Sequence, residues 1–132
     1  MGNLNYEEKE AILDFFGKLV IENVRDRDLS ISMEIANGTT VNPIKKEQYK
    51  ALSTLNEEQK EAVCDLLSET ITSTIFNFLD MIEVNNEKMK LLVCIDGIDH
   101  DLCKISEKMG SEIAFDDEDG WIQKFSSIGR FV

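Results

Sequence analysis

From Asn56 onward, Val63, Leu66, Leu67, Ile71, Thr74, Ile75, Phe78 and Ile82 recur at three- and four-residue intervals. That spacing stacks side chains along a helix. The run covers about seven turns at 3.6 residues each, and Asn56 with Gln59 forms the sequence of a capping box at its start. In a chain of 132 residues a rod of this length has to be the central packing element. Glu57, Glu61, Asp65 and Glu69 fall on its wet side. Thr70, Thr72, Ser73 and Thr74 lower its intrinsic propensity, so burial has to hold its C-terminal half.

A second helix is predicted over Tyr6–Val24, where Ile12, Phe15, Phe16, Leu19, Val20 and Val24 share the same periodicity. Asn5 caps it with Glu8 three places on, and Arg25 lies beyond its negative end. Over Leu29–Ile35 two patterns compete. Alternation of Leu29, Ile31, Met33 and Ile35 with polar residues reads as a strand. A helix capped by Asp28 and stopped at Asn37-Gly38 explains the same residues. The helix is preferred, because Thr39–Pro43 offers no partner strand. Pro43 then opens a loop or a short helix to about Leu52. Leu91–Ile95, Asp96-Gly97 and Ile98 read as a hairpin. A short helix from Asp101 to about Met109 ends at Gly110, and a last amphipathic turn carries Trp121, Ile122 and Phe125. The fold expected is α+β and predominantly helical. A long central helix packs on an N-terminal helix, with a small β-hairpin and short C-terminal helices, in one acidic globular domain over 1–132.

Charge narrows function more than any motif does. Asp and Glu number 26 against 14 Lys and Arg, a formal charge of −12. Such a surface repels phosphate backbones and attracts cationic partners, so a basic protein is the expected partner and direct binding of nucleic acid is not expected. The longest apolar run, Leu91–Ile95, is far below the roughly 20 residues of a membrane span, and Met1–Lys9 is polar and acidic rather than signal-like. A cytoplasmic protein without membrane association is expected. Cys64, Cys94 and Cys103, an odd set, then read as reduced thiols, and the Asn37-Gly38-Thr39 sequon reads as a turn.

The densest charge cluster is Asp116-Asp117-Glu118-Asp119, followed by Gly120 and Trp121. Two readings stand. These carboxylates present themselves to Arg and Lys of a partner while Trp121 supplies buried area. Alternatively, Asp117 or Asp119 caps a helix starting near Gly120, with Trp121 and Phe125 anchoring it in the core. The segment is not an EF-hand: with Gly120 at loop position six, Phe115 and Ser126 occupy two essential ligand positions. Cys94, His100 and Cys103 lack a zinc-site spacing. No catalytic residue is assigned, since a serine-nucleophile elbow and a glycine-rich phosphate loop are both missing. No cofactor or metal is expected. Lys45, Lys46 and Lys50, against Glu47 alone, form a local basic patch that reads as a solvated helix face.

Three stretches carry a resemblance: Leu52–Lys60 opening the long helix, Phe76-Asn77-Phe78-Leu79, and Asp119–Phe125. Together they resemble small uncharacterised acidic bacterial cytoplasmic proteins, some of which are similar to the immunity proteins that neutralise polymorphic toxins. The resemblance covers about the C-terminal 80 residues and implies a class without a site. The expectation is a non-enzymatic protein-binding domain, of the immunity type, that neutralises a basic toxin or nuclease through its acidic surface. Two alternatives remain open: a nucleic-acid mimic inhibiting a defence enzyme, and a regulatory or structural domain. A monomer or a small homo-oligomer fits any of these.

Overall fold

Helix α1 (Tyr6–Val20) begins at a complete capping box, with the Asn5 side chain accepting from Glu8 N–H and the Glu8 carboxylate accepting from Asn5 N–H. In the computed structural model, which describes residues 3–106, 108–113 and 120–128, this helix does not stop near Val24. It runs through a single π turn (Ile21–Arg25) directly into α2 (Asp26–Ala36). Asp28 therefore sits inside a helix rather than capping one, and the alternation over Leu29–Ile35 is helical. Asp26 N–H donates to the Ile21 carbonyl, five residues back. The wide turn has a packing consequence. Gly17, Ile21, Arg25 and Leu29 are buried at four-residue spacing, a spacing that drifts about 40° per step on an ideal α-helix. The extra residue absorbs the drift and lets the sequence neighbours Arg25 and Asp26 both face inward. The helix ends at Asn37-Gly38, where Thr39 N–H donates to Glu34 and Gly38 N–H to Ile35, with Gly38 at φ +74°. That is a Schellman stop, which requires the left-handed conformation glycine tolerates.

Asn42 caps α3 (Pro43–Gln48) by accepting from Ile44 and Lys45 N–H, and a 3-10 turn (Lys50–Thr54) leads to α4 (Glu57–Val84). The expected capping box at Asn56 and Gln59 is present. Helix α4 packs most closely on α2, and α1 packs on α6 (Trp121–Phe125) and α5 (Leu102–Ile105). Strands β1 (Leu92–Ile95) and β2 (Ile98–Asp101) pair antiparallel, with Leu92 opposite Asp101 and Ile95 opposite Ile98. Asp96 and Gly97 both have positive φ, +52° and +80°, as a two-residue hairpin turn demands. The helix expected to reach Met109 stops at Ser106. Asp101 caps it, the Ser106 backbone is extended, and the buried Met109 instead donates its N–H to the Glu83 carboxylate. A 3-10 turn (Gly110–Ile113) follows.

The main core gathers Ile12, Leu13 and Ile21 with Leu79, Val93, Leu102, Met109, Ile113, Trp121 and Ile122. It lies beside the C-terminal half of α4. Upstream of that core α4 makes a different seam, since the residues buried there are Cys64, Ser68 and Thr72. The Ser68 and Thr72 hydroxyls face a guanidinium. Arg25 is 1% exposed, and it donates from Nη1 to Asp26 Oδ1 at 2.7 Å and Ser126 Oγ at 3.0 Å, and from Nε to Thr72 Oγ1 at 3.3 Å. The sequence reading had Arg25 beyond a helix end. It is instead the centre of a buried polar network. Among the described residues, no helix is long and apolar enough to cross a membrane.

Candidate interaction surface

The acidic-aromatic segment divides at Gly120. Asp116, Asp117, Glu118 and Asp119 lie outside the described residues, so their part as a binding face carries no structural account. Trp121 is 0% exposed, and as a partner anchor it is corrected: its ring is core. It packs edge-on against Phe16, centroids 5.8 Å apart at 69°, and lies so close over Gly17 that a Cβ there would come within 2.5 Å of its Nε1 and Cδ2. The N-cap of α6 falls on Gly120, not on Asp117 or Asp119. The aromatic signal in the sequence was that of the second reading, an anchored helix.

Over residues 121–128 the chain is a strap along α1 and the π turn. Lys124 Nζ reaches Glu10 Oε1 at 2.8 Å and Asp14 Oδ1 at 3.0 Å. Burial works against the ammonium charge, but hydrogen bonds to Glu10 and Asp14 outweigh it and hold Lys124 above its ordinary range. The same contact, with a hydrogen bond from Tyr6, lowers the Glu10 carboxyl. Two residues on, Ser126 Oγ donates to Asp26 Oδ1 at 2.8 Å and Ser127 N–H to Asp26 Oδ2 at 2.8 Å. Beside the strap is an open groove of about 370 Å³ lined by Tyr6, Lys9, Glu10, Ile105, Ser106 and Glu112. Burial raises the Glu112 carboxyl, against a hydrogen bond from Ser106 Oγ at 2.9 Å that lowers it.

Other chemistry-bearing residues are separated by the fold. Cys94 pairs across the hairpin with Asp99, and His100 with Val93. Successive strand residues point to opposite faces, so Cys94 and His100 project away from each other. Burial raises the thiols of Cys64 and Cys103, which makes them poorer nucleophiles and ligands. Lys45 sits over the Tyr49 ring, 5.9 Å from its centroid, and Lys50 pairs with Glu47 at 2.7 Å.

One continuous surface does join charge to apolar area. On the side of α4 away from Cys64, Ser68 and Thr72, Leu66 with Glu69 and, about three turns on, Asp80 with Val84 are exposed on one face. Leu66 is 64% and Val84 73% exposed. Neither Glu69 nor Asp80, nor Glu57, Glu58 or Glu61 nearer the N-terminus, makes an ion pair among the described residues. The apolar recurrence counted Leu66 with the stripe, but at 100° per residue it points about 160° from Ile82, on the side that also carries Val84. Comparison with protein families finds no match to this chain, and neither does comparison with curated proteins or with solved structures.

Proposed function

We propose that this protein is a non-enzymatic binding domain of the immunity type, which holds a basic toxin or nuclease against its acidic surface and blocks its active site. The observation that carries this reading is the outer face of α4, where unpaired carboxylates stand beside exposed Leu66 and Val84. Carboxylates at the rim steer a cationic partner and set its orientation, and apolar side chains give it area to bury. The formal charge of −12 supports the same sign of partner. On this reading the protein works in the cytoplasm, alone or as a small homo-oligomer, and Asp116, Asp117, Glu118 and Asp119 extend the acidic surface.

The test is affinity capture from native lysate at about 50 mM and about 500 mM salt, where the Debye length falls from well over 10 Å to a few Å. It uses the protein, the α4 variant Glu69→Asn/Asp80→Asn, and the variant Asp116→Asn/Asp117→Asn/Asp119→Asn. A strongly basic protein that is retained at low salt, lost at high salt and weakened by at least one variant is the expected result. Capture of a small metabolite without any protein would overturn the reading, as would a partner indifferent to salt and to both variants. If DNA competes for the captured protein, the partner is a nucleic-acid enzyme and the protein a mimic of its substrate.

A further inference from the structure

A second surface, opposite in sign to the first, lies between α2, α4 and the segment joining them. Helix α3 and the 3-10 turn after it contain no buried residue. Beneath them a groove of about 190 Å³ is lined by Ile35, Tyr49, Leu52, Val63 and Leu67, with Lys45 at its edge. Val63 and Leu67 belong to the apolar stripe of α4, but the helix turns its small residues Cys64, Ser68 and Thr72 inward, the last two meeting Arg25. The stripe is thereby left half-covered. Val41 and Ile44, 97% and 75% exposed, add apolar surface on the same segment.

We infer that this groove docks a short acidic peptide segment of another protein, one large apolar side chain entering between Tyr49, Leu52, Val63 and Leu67 while flanking carboxylates meet Lys45 and Lys46. Two observations fix the occupant. The first is size: a cavity of about 150 Å³ holds a benzene-sized group, so the space here suits one Phe, Leu or Met side chain. The second is charge. Residues 36–55 carry Lys45, Lys46 and Lys50 against Glu47 alone, and Glu47 is taken by Lys50 at 2.7 Å. Lys45 and Lys46 make no ion pair among the described residues. At physiological salt the Debye length is about 8 Å, so a short segment responds chiefly to charges near the groove, where Lys45 is the charged residue among those lining it. A second whole copy would bring a further charge of −12, and nucleic acid is repelled by the same surplus.

The test is fluorescence anisotropy with a labelled peptide carrying one central Phe flanked by two Asp on each side. It should bind saturably, and binding should weaken at least tenfold when the central Phe becomes Ala, or when Lys45→Glu/Lys46→Glu is introduced. The variant Ser32→Phe, which places a ring into the groove from its α2 wall, should also weaken it at least tenfold. Emission of Trp121, the single tryptophan, checks that each variant keeps its core. The inference is overturned if the peptide does not saturate by millimolar concentration, if the Ala peptide binds equally well, or if folded lysine and serine variants bind as the parent does. None of these results bears on capture of a basic partner at α4.

Discussion

Replacing Arg25 by Met and Asp26 by Leu, singly and together, measures what the buried network contributes. Both residues are almost wholly enclosed, at 1% and 5% exposure, and their ion pair is 2.7 Å long. Removing Arg25 alone leaves the Asp26 carboxylate to Ser126 Oγ and Ser127 N–H, neutral donors at 2.8 Å each. Removing Asp26 alone leaves a guanidinium facing the hydroxyls of Thr72, Ser68 and Ser126. Each single variant takes one charged partner from a buried charge and should cost about 3–5 kcal/mol, a large share of the roughly 5–15 kcal/mol that holds a domain of this size.

The double variant removes both charges together. What remains is the loss at hydroxyls left without a charged partner, about 1–3 kcal/mol for each that stays buried. Its total should therefore resemble either single variant rather than their sum, a coupling of about 3 kcal/mol. Urea unfolding followed by Trp121 emission and by helical circular dichroism supplies the free energies. If either single change costs under about 1 kcal/mol, or if the two costs add, the pair is not the organising contact of the polar seam.

Gly17→Ala should destabilise although alanine favours a helix by about 1 kcal/mol, because the new Cβ would lie 2.5 Å from the Trp121 indole and overpacking costs about 1–3 kcal/mol. A shift in Trp121 emission together with a lower urea midpoint checks this, and a stabilised variant would mean that the indole is free to move. Glu112→Gln should stabilise increasingly as pH rises. The carboxyl is raised in the fold, so the native state binds more protons than the unfolded chain between the two pKa values, and stability falls as pH rises through that interval. The glutamine keeps an acceptor for Ser106, and unfolding curves from pH 4 to pH 8 should show the variant pulling ahead of the parent. Lys124→Met should lose stability at neutral pH and lose less in acid, since the stability from the lowered Glu10 carboxyl is lost as pH falls through its pKa. A loss independent of pH would assign Lys124 a packing role only.

Elements whose cause is local were legible before the structure. Asn5 with Glu8, Asn56 with Gln59, and Asp96-Gly97 each determine their own ends, because a cap or a turn is decided within four residues. What escaped was decided at a distance. Arg25 reads as a helix-end cation until Thr72 and Ser126, 47 and 101 residues away, enclose it. No local pattern announces that the helix continues through Asp26. The apolar stripe of α4 identified a helix correctly but gave its rotation wrongly in the N-terminal half, since a buried guanidinium needs oxygen atoms where a core would place Val63 and Leu67. In the acidic-aromatic segment, Trp121 is compatible with both readings, and its burial against Phe16 and over Gly17 of α1 separates them.

That partition of polar groups makes the functional proposal testable without a stability artefact. The enclosed charges, Arg25 with Asp26, and the half-enclosed Lys124 with Glu10 and Asp14, hold the strap to the N-terminal helix. The carboxylates assigned to partner binding on α4, Glu69 and Asp80, are exposed and make no ion pair among the described residues. Neutralising them relieves self-repulsion in a chain of charge −12, so unfolding free energy should stay within about 0.5 kcal/mol of the parent or rise. A partner held by these groups should meanwhile dissociate more readily and lose part of its salt dependence. Should Glu69→Asn/Asp80→Asn instead unfold the protein, the outer face of α4 would be supporting the fold, and the partner surface would have to be sought elsewhere.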